Sequence, residues 1–143
     1  MYRDYCTLGS TSSFLSLPFC QLGHTSLLTL ALNSGVLWTL GNTDARTLGC
    51  THIATIMGLS MGVALLMGVS KVQSTKGEVL AGGAAISSGL ITYNAFKNPQ
   101  WFAALRFSPL LLAAALTSYG IFYNDVGVMG GVAGGYLAVI LAL

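Results

Sequence analysis

The sequence predicts an all-α fold, a polytopic membrane bundle of about five transmembrane helices. Of the 143 residues, 54% are hydrophobic and only 7% are charged, and the mean hydropathy is +0.73. Soluble domains carry about 25% charged residues, so six basic and four acidic side chains could not cover a soluble surface of this size. Backbone N–H and C=O groups in lipid must form hydrogen bonds within the protein, which helices and closed β-barrels achieve. The sequence shows no barrel-like alternation of apolar and polar residues, so we expect the spans to be helices.

Five apolar segments are long enough to cross a bilayer, which takes about 17–25 residues each. The predicted spans cover residues 24–40, 51–69, 79–96, 107–123 and 127–143. Polar and turn-forming residues fill the connections, which read "GNTDARTLG", "SKVQSTKGE", "KNPQWFAALR" and "YND". We therefore expect a short N-terminal segment over residues 1–23 and one transmembrane domain over residues 24–143.

Charge and cysteine patterns argue against several classes of function. The basic residues are isolated between apolar stretches, so no basic run indicates binding to nucleic acid. Three widely spaced cysteines, at positions 6, 20 and 50, predict neither a disulfide framework nor a CxxC metal site. The first twenty residues fit neither a signal peptide nor an arginine-rich transit peptide. The basic residues divide equally between the two predicted sides, so the positive-inside rule gives no orientation.

The sequence predicts neither a metal site nor a proton path. His24 and His52 begin successive antiparallel spans, which places them at opposite membrane faces, roughly 25 Å apart by the helical rise. The four carboxylates fall in predicted loops rather than inside spans: Asp4, Asp44, Glu78 and Asp125. A pump or coupled transporter would need ionisable groups within the membrane. We therefore expect no metal and no cofactor.

Polar side chains inside the spans are expected to be structural, with one open case. The hydroxyls of Ser87 and Ser88 are expected to bond to their own helix, as is common in membrane helices. Asn33 lies half-way along the first span, and its amide needs a partner there. That partner is either another helix or a water-filled pocket, and the sequence leaves both open.

Small residues predict how the helices pack, because close backbone approach is a main route to helix association in lipid. The last span, "GVMGGVAGGYLA", carries two rows at four-residue spacing: Gly127, Gly131 and Gly135, and beside them Gly130, Gly134 and Ala138. The third span carries a comparable row, with one further glycine next to it: Ala81, Ala85 and Gly89, and Gly82. We expect these two helices to pack against each other or against a neighbour.

Three segments, taken in order, resemble the rhomboid family of intramembrane serine proteases. The first, "HTSLLTLALNSGVLWTLGNTDARTLG", is similar to the family's second membrane helix and following loop, of the form H-x-S-x-x-H-x-x-x-N, then L-G and a charged stretch ending in L-G. The second, "VLAGGAAISSGLITYNAFKNP", resembles the serine-bearing G-x-S-G helix, and the third, "VMGGVAGG", resembles the last helix, H-x-G-G-x-x-x-G. The resemblance omits the family's first helix and its large membrane-embedded loop.

The departures from these motifs imply a rhomboid-like fold without the protease chemistry. In this register the nucleophile position falls on Ala81 and the general-base position on Val128. The first oxyanion-supporting position falls on Thr29, while Asn33 retains the second. Acyl transfer needs an activated hydroxyl, a base within reach and donors at the oxyanion. The resemblance therefore implies a catalytically inactive pseudorhomboid.

The neighbouring serines are not expected to replace the lost nucleophile. Ser87 and Ser88 follow Ala81 by six and seven residues, which places them about 9–10 Å deeper along the helix. No histidine lies at that depth in the sequence. A serine without a base is a poor nucleophile, so we expect no catalytic residue in this chain.

Inactive rhomboids such as derlins bind transmembrane segments or perturb the bilayer, so the resemblance implies a role in interaction. We expect a structural accessory subunit of a larger membrane complex, with other membrane subunits and lipids as partners. A mitochondrial inner-membrane assembly is the preferred setting: a respiratory complex, ATP synthase or translocase. One alternative is a client-binding factor in quality control or protein translocation. Another is a transporter of lipids or small molecules, with a pocket at Thr29 and Asn33.

Overall fold

The computed structural model describes residues 27–75, 84–105, 108–141 and 143 of the chain. Every element in these ranges is helical, which confirms the all-α prediction. The elements, in order, are α1 (Leu27–Val36), a π-helical turn (Leu37–Gly41), α2 (Asn42–Thr47), α3 (Cys50–Thr75), α4 (Ala84–Lys97), a 3₁₀ helix (Pro99–Leu105), α5 (Pro109–Tyr123) and α6 (Val126–Ile140).

Among the residues that the structure describes, one helix has the length and composition needed to cross a membrane. It is the part of α3 from Cys50 to Lys71, which has 22 residues and a mean hydropathy of 1.9. Helices α5 and α6 are also apolar but have 15 residues each, or about 22 Å by the helical rise. That is shorter than the roughly 30 Å hydrocarbon core of a bilayer.

The first connection differs from the prediction, because residues 42–47 are helical rather than loop. This stretch is polar, but its threonine hydroxyls bond to carbonyl groups one turn earlier in the chain. The hydroxyl of Thr43 donates to the Thr39 carbonyl at 2.7 Å, and that of Thr47 donates to the Thr43 carbonyl at 2.9 Å. Each hydroxyl is therefore satisfied on its own helix. The helix ends at Thr47, and Gly49, two residues later, has a φ of +94° that favours glycine.

A tight turn joins the last two helices. Helix α5 ends at Asn124, which has a left-handed φ of 55°, a conformation that asparagine tolerates better than most residues. The next residue, Asp125, caps α6, because its carboxylate accepts a hydrogen bond from the Val128 amide at 3.1 Å. The two helices follow each other directly and are in contact.

Helix α6 lies at the centre of the described bundle. It packs against α3 on one side and α4 on another, while α5 and α1 lie further out. An apolar cluster of buried residues joins α3, α4 and α6: Ile53, Ile56, Leu90, Tyr93 and Ala138.

Candidate functional site

One glycine row of α6 faces α3. A Cβ atom placed on Gly134 would lie 2.5 Å from the Cα of Ser60, and one on Gly130 would lie 2.6 Å from the Cβ of Ala64. Carbon atoms in contact are normally about 3.5–4.0 Å apart, so no larger residue fits without moving a backbone. Because Gly130 and Gly134 have no side chains, α6 can approach α3 this closely.

The other glycine row of α6 faces α4. A Cβ atom on Gly131 would lie 2.8 Å from the Cα of Ala85, and one on Gly135 would lie 3.0 Å from the Cα of Gly89. The two rows recognised in the sequence thus contact two different helices. Gly127 is also buried, whereas Ala81 and Gly82 lie outside the described residues.

Helix α3 contributes a small-residue row that the sequence interpretation missed. The row consists of three buried small residues at four-residue spacing: Ser60, Ala64 and Gly68. It continues the spacing of the buried Ile56. Ser60 sits where three helices meet, because it contacts Gly134 and would also collide with a Cβ atom on Gly89. The spacing Ser60–Ala64–Gly68 was a readable signal. It was obscured by other glycines of α3 that face open space, Gly58 and Gly62.

Of the two serines singled out in the sequence, Ser87 bonds to another helix and Ser88 bonds mainly to its own helix. The Ser88 hydroxyl donates to the Ala84 carbonyl at 2.6 Å, and the Val128 carbonyl lies 3.3 Å from the same oxygen. The Ser87 hydroxyl donates to the Asn33 amide oxygen at 2.5 Å. Of the two partners left open for Asn33, another helix is the one observed for its oxygen. Its amide nitrogen is buried without a protein hydrogen-bond partner.

The positions implied by the rhomboid resemblance are only partly described. Val128 is buried on α6, and Thr29 is half-buried on α1. His24 and Ala81 lie outside the described residues. Cys50 is an exposed free thiol.

Asp44 corrects the expectation that all carboxylates lie in loops. It is on helix α2 and is 0% exposed, because the helical continuation turns its side chain toward α4. There the Asn94 amide donates to one carboxylate oxygen at 2.8 Å. Burial raises the pKa of Asp44, while the hydrogen bond from Asn94 and the nearby His52 oppose that rise. The second carboxylate oxygen has no hydrogen-bond partner.

His52, which the sequence places at a membrane face, is half-buried and contacts α4. Its Nε2 is 2.9 Å from the Tyr93 hydroxyl oxygen, and that hydroxyl donates to the Leu143 carbonyl at 2.7 Å. With the tyrosine proton directed at Leu143, this contact fits the His52 tautomer that carries its proton on Nε2.

The described side chains do not assemble a recognisable reaction centre. Within the described ranges, no three His, Cys, Asp or Glu side chains converge as metal ligands would. Ser60, Ser87 and Ser88 donate to carbonyl or amide oxygens, and His52 is committed to Tyr93. The bonds of Ser87 and His52 join helices, whereas those of Ser60 and Ser88 to Ile56 and Ala84 lie within one helix.

No protein-family model matches the chain, and comparisons with curated proteins and with solved structures found no match.

Proposed function

We propose that this chain is a catalytically inactive, rhomboid-like membrane protein that serves as a structural accessory subunit of a larger membrane complex. The observation that carries the proposal is the division of its side chains. The glycines of α6 and the polar side chains of Asp44, Ser87 and Asn94 lie in contacts between helices, while many large apolar side chains are exposed. A surface of this kind requires lipid or protein around it.

The outward apolar side chains lie mainly on α1, the π-helical turn and α5. Leu27 is 82% exposed, Trp38 is 76% exposed and Phe122 is 81% exposed. Large contiguous apolar surfaces on soluble monomers are rare and mark interaction or membrane sites. Together with the membrane-length helix α3, these faces support insertion of the whole bundle in a bilayer beside partner subunits.

The hydrogen bonding of the serines supports an inactive protein. An acyl-transfer nucleophile must donate its proton to a base in the transition state. Here the Ser88 hydroxyl is directed at a carbonyl of its own helix and the Ser87 hydroxyl at an amide oxygen. The double replacement Ser87→Ala and Ser88→Ala should therefore leave any associated proteolysis unchanged, and loss of cleavage would contradict inactivity.

The preferred setting is a mitochondrial inner-membrane complex, because small accessory subunits of this kind are common in such assemblies. Chemical crosslinking in native membranes, followed by mass spectrometry, tests the subunit role. Fixed neighbours in constant stoichiometry are the expected result. A changing set of crosslinked clients would instead favour a client-binding factor, and substrate or lipid transport abolished by changes at Asn33 would favour a transporter.

A further inference from the structure

A small groove lies where the end of α3 meets the turn between α5 and α6. It has a volume of about 250 Å³ and is lined by Met67, Ser70, Lys71, Asn124, Val126 and Met129. Methionine and valine side chains form its apolar part, and the lysine, serine and asparagine form its polar part. Lys71 is the one charged residue among these lining residues.

The lysine is held in place by the turn. Its ammonium group donates to the Asn124 carbonyl at 2.8 Å, so the charge is fixed beside the groove. Asp125, the next residue along the turn, directs its carboxylate to the Val128 amide and thereby caps α6. The sequence has no basic run, but the fold places one ammonium group against a built cavity.

In the membrane insertion proposed above, the groove lies at the lipid headgroup level. Lys71 is the last residue of the membrane-length segment. At the same end, three aromatic rings of α5 contact each other: Tyr119 and Tyr123 at 4.6 Å between centroids, and Phe122 and Tyr123, edge to face, at 5.1 Å. All three are exposed. Aromatic side chains of this kind concentrate at membrane–water interfaces.

We propose that this groove binds the phosphate headgroup of an anionic phospholipid. The Lys71 ammonium pairs with the phosphate, and the adjoining glycerol and acyl carbons lie against Met67 and Met129, whose thioether side chains adapt to irregular apolar shapes. Basic pockets between membrane helices bind anionic headgroups in this way. The proposal rests on the membrane insertion contained in the proposed function.

The test is lipid retention by the purified full chain, measured by native mass spectrometry in mild detergent. Phosphatidylglycerol and phosphatidylcholine with identical acyl chains are offered at equal concentration. The wild-type protein should retain phosphatidylglycerol preferentially, and Lys71→Gln should lower that preference about fivefold. Lys71→Arg keeps the charge and should retain the preference. Lys97→Gln, which changes an exposed lysine at the end of α4, is the matched control and should also retain it.

Three outcomes would overturn the lipid site. The first is equal retention of the two lipids by the wild-type protein, and the second is an equal loss of preference in Lys71→Gln and Lys97→Gln. The third is displacement of the lipid by inorganic phosphate at matched concentration, which would assign the site to a soluble phosphate. Any of these would leave the subunit role standing if crosslinked neighbours stay fixed. Failure of the subunit role appears separately, as a chain without such neighbours.

Discussion

Helices α5 and α6 are both 15 residues long and both strongly apolar, yet they occupy different places in the bundle. Eight residues of α6 are buried, five of them glycines of the two rows, whereas α5 buries Ala113 and Gly120. Side-chain size, rather than hydropathy, separates them. In lipid, where apolar burial gives little driving force, the helix with the smallest side chains makes the closest contacts.

Contacts of α6 with backbone atoms of its neighbours should be the least tolerant of added volume, and Gly134 makes one of them. Gly134→Ala brings a Cβ atom to 2.5 Å from the Cα and 2.8 Å from the amide nitrogen of Ser60. These are backbone atoms that cannot rotate away, so we expect a loss of about 3 kcal/mol in unfolding free energy, the upper end of typical overpacking costs. Thermal unfolding in detergent micelles measures the change.

The matched control is Gly62→Ala, on the open side of α3. A Cβ atom there meets nothing within 4 Å, and alanine is a better helix former than glycine. We therefore expect a gain of roughly 0.5–1 kcal/mol. Equal effects of the two replacements would show that the glycine rows do not set the helix spacing.

A smaller loss is expected where α5 contacts α6. The Cβ atom of Gly120→Ala would lie 2.8 Å from the Cγ of Met129, an atom of a flexible side chain that can move. We expect a cost of about 1 kcal/mol, the low end of the overpacking range, in the same unfolding experiment. A cost matching that of Gly134→Ala would remove the distinction between the two helices.

The sequence was sufficient for the apolar helices and for the glycine rows, because apolar runs and four-residue spacing are local patterns. It did not predict the helical structure of the polar connections at residues 42–47 and 99–105. It was insufficient for Asp44. That residue pairs with Asn94, fifty positions away, and its burial depends on a helix that runs through polar threonines. The Ser60 row was visible, but its contact with Gly89 and Gly134 depends on the tertiary arrangement of three helices.

The outer helix α1 should be held to the centre by a modest polar contact. The Ser87 hydroxyl donates to the Asn33 amide oxygen, and such bonds in membrane bundles contribute about 0.6 kcal/mol on average. A double-mutant cycle with Ser87→Ala and Asn33→Ala should return a coupling energy of that size. Strictly additive effects of the two replacements would mean that this bond does not stabilise α1.

The pH dependence of stability should report on Asp44. Its pKa in the folded protein is raised above the ordinary 3.8, mainly by burial. Its contribution to stability is therefore fully present below the ordinary pKa and is lost as the pH rises through the raised value. The loss should appear as a fall in Tm with rising pH. Asp44→Asn keeps an oxygen that can accept a hydrogen bond from Asn94 but carries no charge, so it should make Tm less dependent on pH in this range.

Asp125→Asn is the control for that titration, because Asp125 caps α6 and lies outside the contact between Asp44 and Asn94. This variant should keep the fall in Tm above the ordinary pKa of an aspartate. If Asp44→Asn leaves the fall unchanged, the buried carboxylate is not its source.

The outward faces of α1 and α5, in contrast to the glycine-lined centre, are available to partners, and this difference is the basis of the proposed subunit role. The most direct test is the composition and mass of the particle that contains this chain after extraction from native membranes in mild detergent. The proposed role predicts a complex much larger than the 14.9 kDa chain, with the same partner subunits in fixed ratios in every preparation. A monomeric chain without stable partners would contradict it.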